Sequence, residues 1–150
     1  MRKFLALALL ALAVLAVPAL AATRLEATLN GKAEKPRSSS KATGEATLTV
    51  ATNNKSIRYR LEAKGLSGKP QAAHVHFGKP GQAGPVILNV CAKPCSLPKS
   101  GRLTKKDFAK APGVASFKAA VRAIKRGRAY VNIHTKKFAA GEIRGQIRRK

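Results

Sequence analysis

The stretch Ala-Ala-His-Val-His-Phe (72–77) decides the fold, because its alternation predicts a β-strand with both histidines on one face and Val75 on the other. A second stretch, Tyr-Val-Asn-Ile-His-Thr (130–135), alternates in the same way. Its aliphatic residues share one face, and Asn132 and His134 share the opposite face. These two stretches contain all three histidines of the 150-residue chain. The pattern therefore predicts strands that gather every imidazole of the protein into one site.

The first residues have the layout of a secretory signal peptide. Arg2 and Lys3 precede an apolar run over residues 4–17, and the small-residue stretch Ala-Leu-Ala (19–21) offers a cleavage point. The alternative is an uncleaved membrane anchor. No later segment approaches the ~20 apolar residues of a transmembrane helix. We therefore expect a signal peptide over residues 1–21 and an exported protein, periplasmic or secreted, made of one domain over residues 22–150.

The chain is strongly basic, with 30 Lys and Arg residues against six Asp and Glu residues and a net charge of +24. Loss of residues 1–21, which carry two basic residues and no acid, leaves +22. This charge predicts salt-dependent attraction to anionic envelope or extracellular polymers, or to an unidentified protein partner. Aromatic residues are few and Trp is absent, so the sequence predicts no specific nucleic-acid binding. The alternative is a basic surface that is merely solvated.

Cys91 and Cys95 are the only cysteines, and three residues separate them. In an exported protein two cysteines this close predict a disulfide, which would shape the Pro-rich loop over residues 91–98. A redox pair or a pair of thiolate metal ligands is the alternative.

Strand patterns dominate the rest of the chain. Further strands are predicted at 24–30, 44–51, 56–63, 86–90, 128–134 and 141–148, with a hairpin turn at 52–55. One stretch departs from this pattern, because Thr104 resembles a helix N-cap and residues 117–124 show helical spacing. These features predict an all-β fold, an antiparallel β-sandwich or a Greek-key-like open barrel, with a short helical insertion at about 104–126.

Several short motifs, taken in order, resemble the CHRD (chordin-type) domain. They are Ala-Thr-Gly-Glu-Ala-Thr-Leu-Thr-Val (42–50), Gly-Leu-Ser-Gly (65–68), Ala-Ala-His-Val-His (72–76), Gly-Pro-Val (84–86), Tyr-Val-Asn-Ile-His-Thr (130–135) and Gly-Glu-Ile-Arg-Gly-Gln (141–146). The resemblance covers about residues 23–147. It implies a secreted or periplasmic all-β domain that occurs alone in bacteria and as a module of chordin, an extracellular antagonist of growth factors. It implies no settled activity, and the heavy Lys and Arg load departs from the family's usual pattern, as does Lys-Pro-Arg at 35–37.

The histidines suggest a metal centre. His74, His76 and His134 could hold one Cu²⁺ or Zn²⁺ and leave a fourth coordination position open. We expect binding to weaken as the pH falls through ~6.5, the ordinary range of imidazole. If the strands at 130–135 and 141–148 pair, a polar cluster joins this patch, with Glu142 orienting an imidazole. The cluster comprises Asn132, Glu142, Arg144 and Gln146.

Two other interpretations remain open for these residues. The cluster could be structural, with Glu142 and Arg144 as an ordinary ion pair, or it could bind a ligand without a metal. The His-x-His strand is also similar to the copper half of Cu/Zn superoxide dismutases, although the bridging histidine and the zinc-site aspartate have no counterpart here. No nucleophile–base pair can be identified from spacing, so the sequence does not predict an enzyme.

Overall fold

A computed structural model describes residues 21–92 and 95–150, so the predicted signal peptide lies outside the described residues except for Ala21. The described part contains nine strands, one α-helix and two 3₁₀ turns. The strands are β1 (Thr23–Asn30), β2 (Thr43–Val50), β3 (Ile57–Lys64), β4 (Pro70–Phe77), β5 (Val86–Cys91), β6 (Lys99–Leu103), β7 (Ala129–Thr135), β8 (Ile143–Gln146) and β9 (Arg148–Arg149). The helix is α1 (Phe117–Lys125), and the 3₁₀ turns span Gly31–Ala33 and Lys105–Asp107.

The strands form one antiparallel sheet in the order β5-β4-β7-β8-β1-β2-β3-β6, and β9 also pairs with β1. The sheet curls until its two ends approach each other. Near this junction the Tyr59 hydroxyl of β3 donates a hydrogen bond to the Val90 carbonyl of β5 at 3.2 Å. The predicted all-β antiparallel fold is confirmed, and its form is the nearly closed barrel.

The inward-facing residues of the strands fill the barrel, and α1 packs against it. The strands alternate in burial as their sequences predict, most regularly in β1 and β2. The helix buries Phe117, Ala120, Val121 and Ile124, the residues with helical spacing. Its N-cap is Ser116, whose hydroxyl accepts a hydrogen bond from the Ala119 amide at 3.2 Å. The helical insertion is confirmed, although its first part is only the 3₁₀ turn capped by Thr104.

Strand β6 is the element that the sequence did not predict. Its residues Lys-Ser-Gly-Arg-Leu are mostly polar, and only Leu103 is buried. β6 is the last strand in the sheet order and pairs with β3. Because most of its side chains are exposed, its sequence lacks the alternation of apolar and polar residues that predicts a strand. Its Gly101 lies over the Tyr59 ring, where an added Cβ would come within 3.0 Å of the ring atoms.

The predicted disulfide is confirmed between Cys91 and Cys95, with their Cα atoms 5.5 Å apart. It links the end of β5 to the segment before β6, and positions 93–94 between the two cysteines lie outside the described residues. Within the described ranges, no helix is long and apolar enough to cross a bilayer.

Candidate metal centre

The three histidines converge on one face of the sheet. Strands β4 and β7 pair so that Ala72 lies opposite His134, and His74 and His76 lie opposite Asn132 and Tyr130. One ring nitrogen from each histidine lies within 4.8 Å of the others. His74 Nδ1 and His134 Nε2 are 3.2 Å apart. The strand alternation thus brings the predicted ligands together.

Backbone carbonyls fix two of the imidazoles. His76 Nδ1 donates to the Gly84 carbonyl at 2.9 Å, and His134 Nδ1 donates to the Ala139 carbonyl at 2.9 Å. Because a carbonyl oxygen only accepts, each of these rings carries its proton on Nδ1 and has a lone pair on Nε2. His76 Nε2 is buried and has no hydrogen-bond partner within the described part of the chain. Metal-ligating histidines typically donate their second N–H in this way.

Burial favours the neutral, metal-binding form of His74 and His76. Desolvation lowers the pKa of His74 to about 4, and the neighbouring His134 and His76 lower it further by charge repulsion. Desolvation also lowers the pKa of His76, against a smaller opposing effect of its bond to Gly84. Neutral imidazole is the ligating form, so His74 keeps this form well below the ~6.5 expected from sequence.

Tyr130 connects the histidines to Arg144. The Tyr130 ring stacks on the His76 ring, with 4.8 Å between centroids and 11° between planes. The Arg144 guanidinium lies 3.4 Å from the centroid of the Tyr130 ring. The Tyr130 hydroxyl accepts from the Gly84 amide at 3.1 Å, and Arg144 donates to the Gln82 carbonyl at 2.7 Å. The loop between β4 and β5 is thereby held over this face.

Glu34 is a site residue that the sequence did not reveal. It lies in a polar loop without strand periodicity, yet it is only 4% exposed, and its carboxyl oxygen accepts from the Asn132 amide. Burial raises the pKa of Glu34 to about 7, and Arg144 opposes this increase by charge attraction. Glu34 therefore belongs to a buried polar layer with Asn132 and Arg144, beside the histidines.

The prediction that Glu142 orients an imidazole is wrong. Its carboxylate accepts hydrogen bonds from Ser40 Oγ, from Ser67 N and Oγ, and from Thr135 Oγ1, at 2.6–2.8 Å. Thr135 shares the face of β7 opposite to that of the histidines, because it is one residue from His134. Strand pairing begins only at Ile143, so strand alternation does not extend to Glu142.

The other members of the predicted polar cluster lie on the expected face. Arg144 pairs in register with Asn132, and Gln146 pairs with Tyr130. The Gln146 amide donates to the carbonyls of Gly78, Gly127 and Ala129 at 2.8–3.0 Å. Gln146 therefore organises loops. Glu142 and Arg144 form no ion pair among the described residues, so the sequence-based interpretation of these two residues as an ordinary ion pair is wrong.

A cavity of ≈ 570 Å³ lies beside the cluster. His74 and His134 line it together with Gln71 and Lys136. A small molecule in this cavity could approach the two imidazoles from solvent. The geometry therefore combines converging ring nitrogens, two anchored rings and an open side, which is the arrangement of a metal site with an exchangeable position.

Fold and site together define a small antiparallel barrel with a three-imidazole cluster on its outer face. The CHRD domain family model matches residues 25–147, and the chain belongs to this family. Comparison with curated proteins and comparison with solved structures each find no match.

Proposed function

We propose that this protein binds one divalent transition metal, Cu²⁺ in preference to Zn²⁺, through His74 Nδ1, His76 Nε2 and His134 Nε2. The observation that carries the proposal is the arrangement of ring nitrogens. Two rings have their Nδ1 protons bound to backbone carbonyls, and the buried Nε2 of His76 is unpartnered in the described part of the chain. Most buried polar atoms have a hydrogen-bond partner, so the unpartnered Nε2 of His76 favours a bound ligand.

The distances suit a metal after a small adjustment. Metal–nitrogen bonds of ~2.0–2.1 Å place adjacent ligand atoms about 2.9–3.4 Å apart and opposite ones about 4.1 Å apart. The His74–His134 separation of 3.2 Å fits adjacent ligands. Each histidine can supply a ring nitrogen within 4.8 Å of the other two, so the most distant pair must approach by less than about 1 Å if it takes opposite positions. Such a tetragonal arrangement suits Cu²⁺, which also precedes Zn²⁺ in the general order of affinity.

Metal binding requires one tautomer change. His134 Nε2 has a lone pair, so His74 Nδ1 is the donor in the bond between them. To ligate, His74 must move its proton from Nδ1 to Nε2, whereas His76 and His134 keep their tautomers. The cavity beside His74 and His134 leaves the remaining position to water or a small anion.

Isothermal titration of tag-free protein with Cu²⁺, with Zn²⁺ as competitor, tests the proposal. We expect one Cu²⁺ per chain and electron spin echo modulation from coordinated imidazole. Each of H74A, H76A and H134A should reduce the Cu²⁺ affinity by about 100-fold or more. Loss of a residue that only hydrogen-bonds to a metal ligand already reduces metal affinity by about 10–100-fold. The matched control is Gln71→Ala, because Gln71 lines the same cavity but is not a ligand.

Equal Cu²⁺ affinity in the wild type and the H74A/H76A/H134A triple variant would contradict the proposal, and the cluster would then be structural. Circular dichroism of each variant separates loss of metal from loss of fold. A spectrum that shows only one coordinated imidazole would contradict the three-histidine ligand set and would indicate adventitious binding of Cu²⁺.

We also propose that the protein is exported after removal of residues 1–21. The support is the charged start, the short apolar run and the Ala-Leu-Ala stretch. The intact mass of protein recovered from the periplasm or medium should correspond to residues 22–150. Recovery of the full-length mass from a membrane fraction would instead favour the uncleaved anchor.

A further inference from the structure

Two further cavities are rich in basic residues, and the larger one includes Arg144, which contacts Tyr130 of the histidine site. The larger, of ≈ 520 Å³, lies between β1, β8, β9 and the Gly31–Ala33 turn; its cations are Lys32, Lys35, Arg144, Arg148 and Arg149. The smaller, of ≈ 320 Å³, lies along α1; its cations are Lys118, Arg122, Lys125, Arg126 and Arg149. Arg149 lines both cavities, so they adjoin; we call the basic surface that they form together the β9–α1 track.

The protein itself does not neutralise the track. Nine cations line it, and the one acid there, Glu26, lies 3.8 Å from the Lys150 ammonium. Within the described ranges none of the nine cations lies within 4 Å of a carboxylate. Like charges at this density repel one another and oppose the compact state. Within the described residues only Glu26, and Glu34 through its attraction to the buried Arg144, offset this charge, so an external anion is the expected counterpart of the remaining cations.

The fold fixes the direction of these charges. On α1, Lys118, Arg122 and Lys125 are spaced by four and three residues and so share one face. The buried residues of the helix, including Ala120 and Ile124, occupy the opposite side. The cations therefore cannot turn inward, and the helix presents them toward Arg149 as a continuous surface.

We propose that the β9–α1 track binds a linear anionic polysaccharide. Repeated cations along the two adjoining cavities suit a chain with repeated charges. Four of the nine side chains are lysines and five are arginines, whose guanidinium groups form paired hydrogen bonds with sulfate, phosphate or carboxylate. Among the described residues no aromatic side chain lines either cavity. Binding of single-stranded nucleic acid relies on base stacking on aromatic rings, so the lining favours a polysaccharide over a single-stranded nucleic acid.

The test uses a fluorescent heparin oligosaccharide, with polygalacturonate as a carboxylate-only probe and duplex DNA of equal charge as a competitor. The charge-reversal variant Arg122→Glu/Arg149→Glu changes both cavities. Its matched control is Arg58→Glu/Arg102→Glu, two exposed arginines that face each other across β3 and β6 and line neither cavity. Both variants change the net charge equally.

We expect the track variant to lose at least tenfold more heparin affinity than the control, and to show a shallower dependence of affinity on salt. Heparin binding without polygalacturonate binding would assign sulfate, and binding of both would assign general anionic sugar. Equal losses in the two variants would overturn the proposal, since binding would then follow net charge alone. Tighter binding of duplex DNA than of heparin would overturn the class of partner. If the track variant unfolds, R122A/R149A replaces it, and R58A/R102A is then the matched control.

Discussion

Glu142 should be among the most important residues for stability, although it lies away from the metal site. Its side chain is fully buried and accepts four hydrogen bonds that join three segments of the chain. Ser40 belongs to the loop after β1, Ser67 to the turn before β4, and Thr135 to the end of β7. The change Glu142→Ala removes the common acceptor of all three segments.

The magnitude follows from what remains after the change. The hydroxyls of Ser67 and Thr135 are 3.1 Å apart and can still bond to each other, whereas the Ser67 amide loses its carboxylate acceptor. An unsatisfied buried donor costs about 1–3 kcal/mol, and lost bonds to a charged group cost a similar amount each. We therefore expect Glu142→Ala to lower the free energy of unfolding by about 3–5 kcal/mol. Glu142→Gln keeps one acceptor oxygen and should cost about 1–2 kcal/mol.

Urea denaturation at pH 7 measures the change. With an m value of about 1–3 kcal/mol/M, a loss of 3–5 kcal/mol moves the midpoint by more than about 1 M. The matched control is Glu45→Ala, an exposed glutamate, which should stay within about 0.5 kcal/mol of wild type. If Glu142→Ala and Glu45→Ala had equal midpoints, the argument from buried hydrogen bonds would be refuted.

The same carboxylate predicts a pH dependence. Burial acts to raise the pKa of Glu142, but hydrogen bonds from Thr135, Ser67 and Ser40 outweigh it and hold the pKa below 4.5. A depressed pKa in the folded state means that this contribution is present above the unfolded value and is lost as the pH falls below about 4.5. Wild type should therefore lose more stability than Glu142→Gln between pH 5 and pH 3.

Three further outcomes concern the neighbourhood of the histidines. The pKa of Glu34 is raised to about 7, so its ionisation destabilises the folded state as the pH rises from 4.5 through 7. Urea midpoints at pH 5 and pH 8 should show that wild type loses roughly 2 kcal/mol relative to Glu34→Gln, and parallel profiles would contradict this. In Gly84→Ala the new Cβ would lie 1.7 Å from a carbonyl oxygen of β4, so thermal melting should show a loss above about 2 kcal/mol and copper titration a weaker site, because the Gly84 carbonyl anchors His76. Since burial lowers the pKa of His74 to about 4, the imidazole NMR signals of His74 in metal-free protein, assigned by their loss in H74A, should not shift between pH 8 and pH 6, and a His74 midpoint near 6.5 would contradict this.

The sequence determined most of the strands, the faces of the histidines and the disulfide. Alternation in 72–77 and 130–135 has period two, and a strand with one apolar face leaves only one choice of side for its histidines. Cys91 and Cys95 are close enough in the chain for pairing, as the structure confirms. The spacing of Phe117 and Ile124 predicted the helix, because helical periodicity is local, whereas its N-cap, Ser116, was found only in the structure.

The tertiary structure decided which residues pack on the face of the sheet that carries the histidines and which point away from it. Glu34 carries no periodic signal, and only the path of its loop across β7 places it against Asn132. Glu142 precedes the paired part of β8, so long-range hydrogen bonds to Ser67 and Thr135, rather than alternation, determine its direction. Burial then lowers the pKa of His74, and burial is a property of the packed barrel. Local pattern encodes the face of a strand, whereas the layer above that face depends on long-range loop contacts, such as the one between Glu34 and Asn132, which are 98 positions apart.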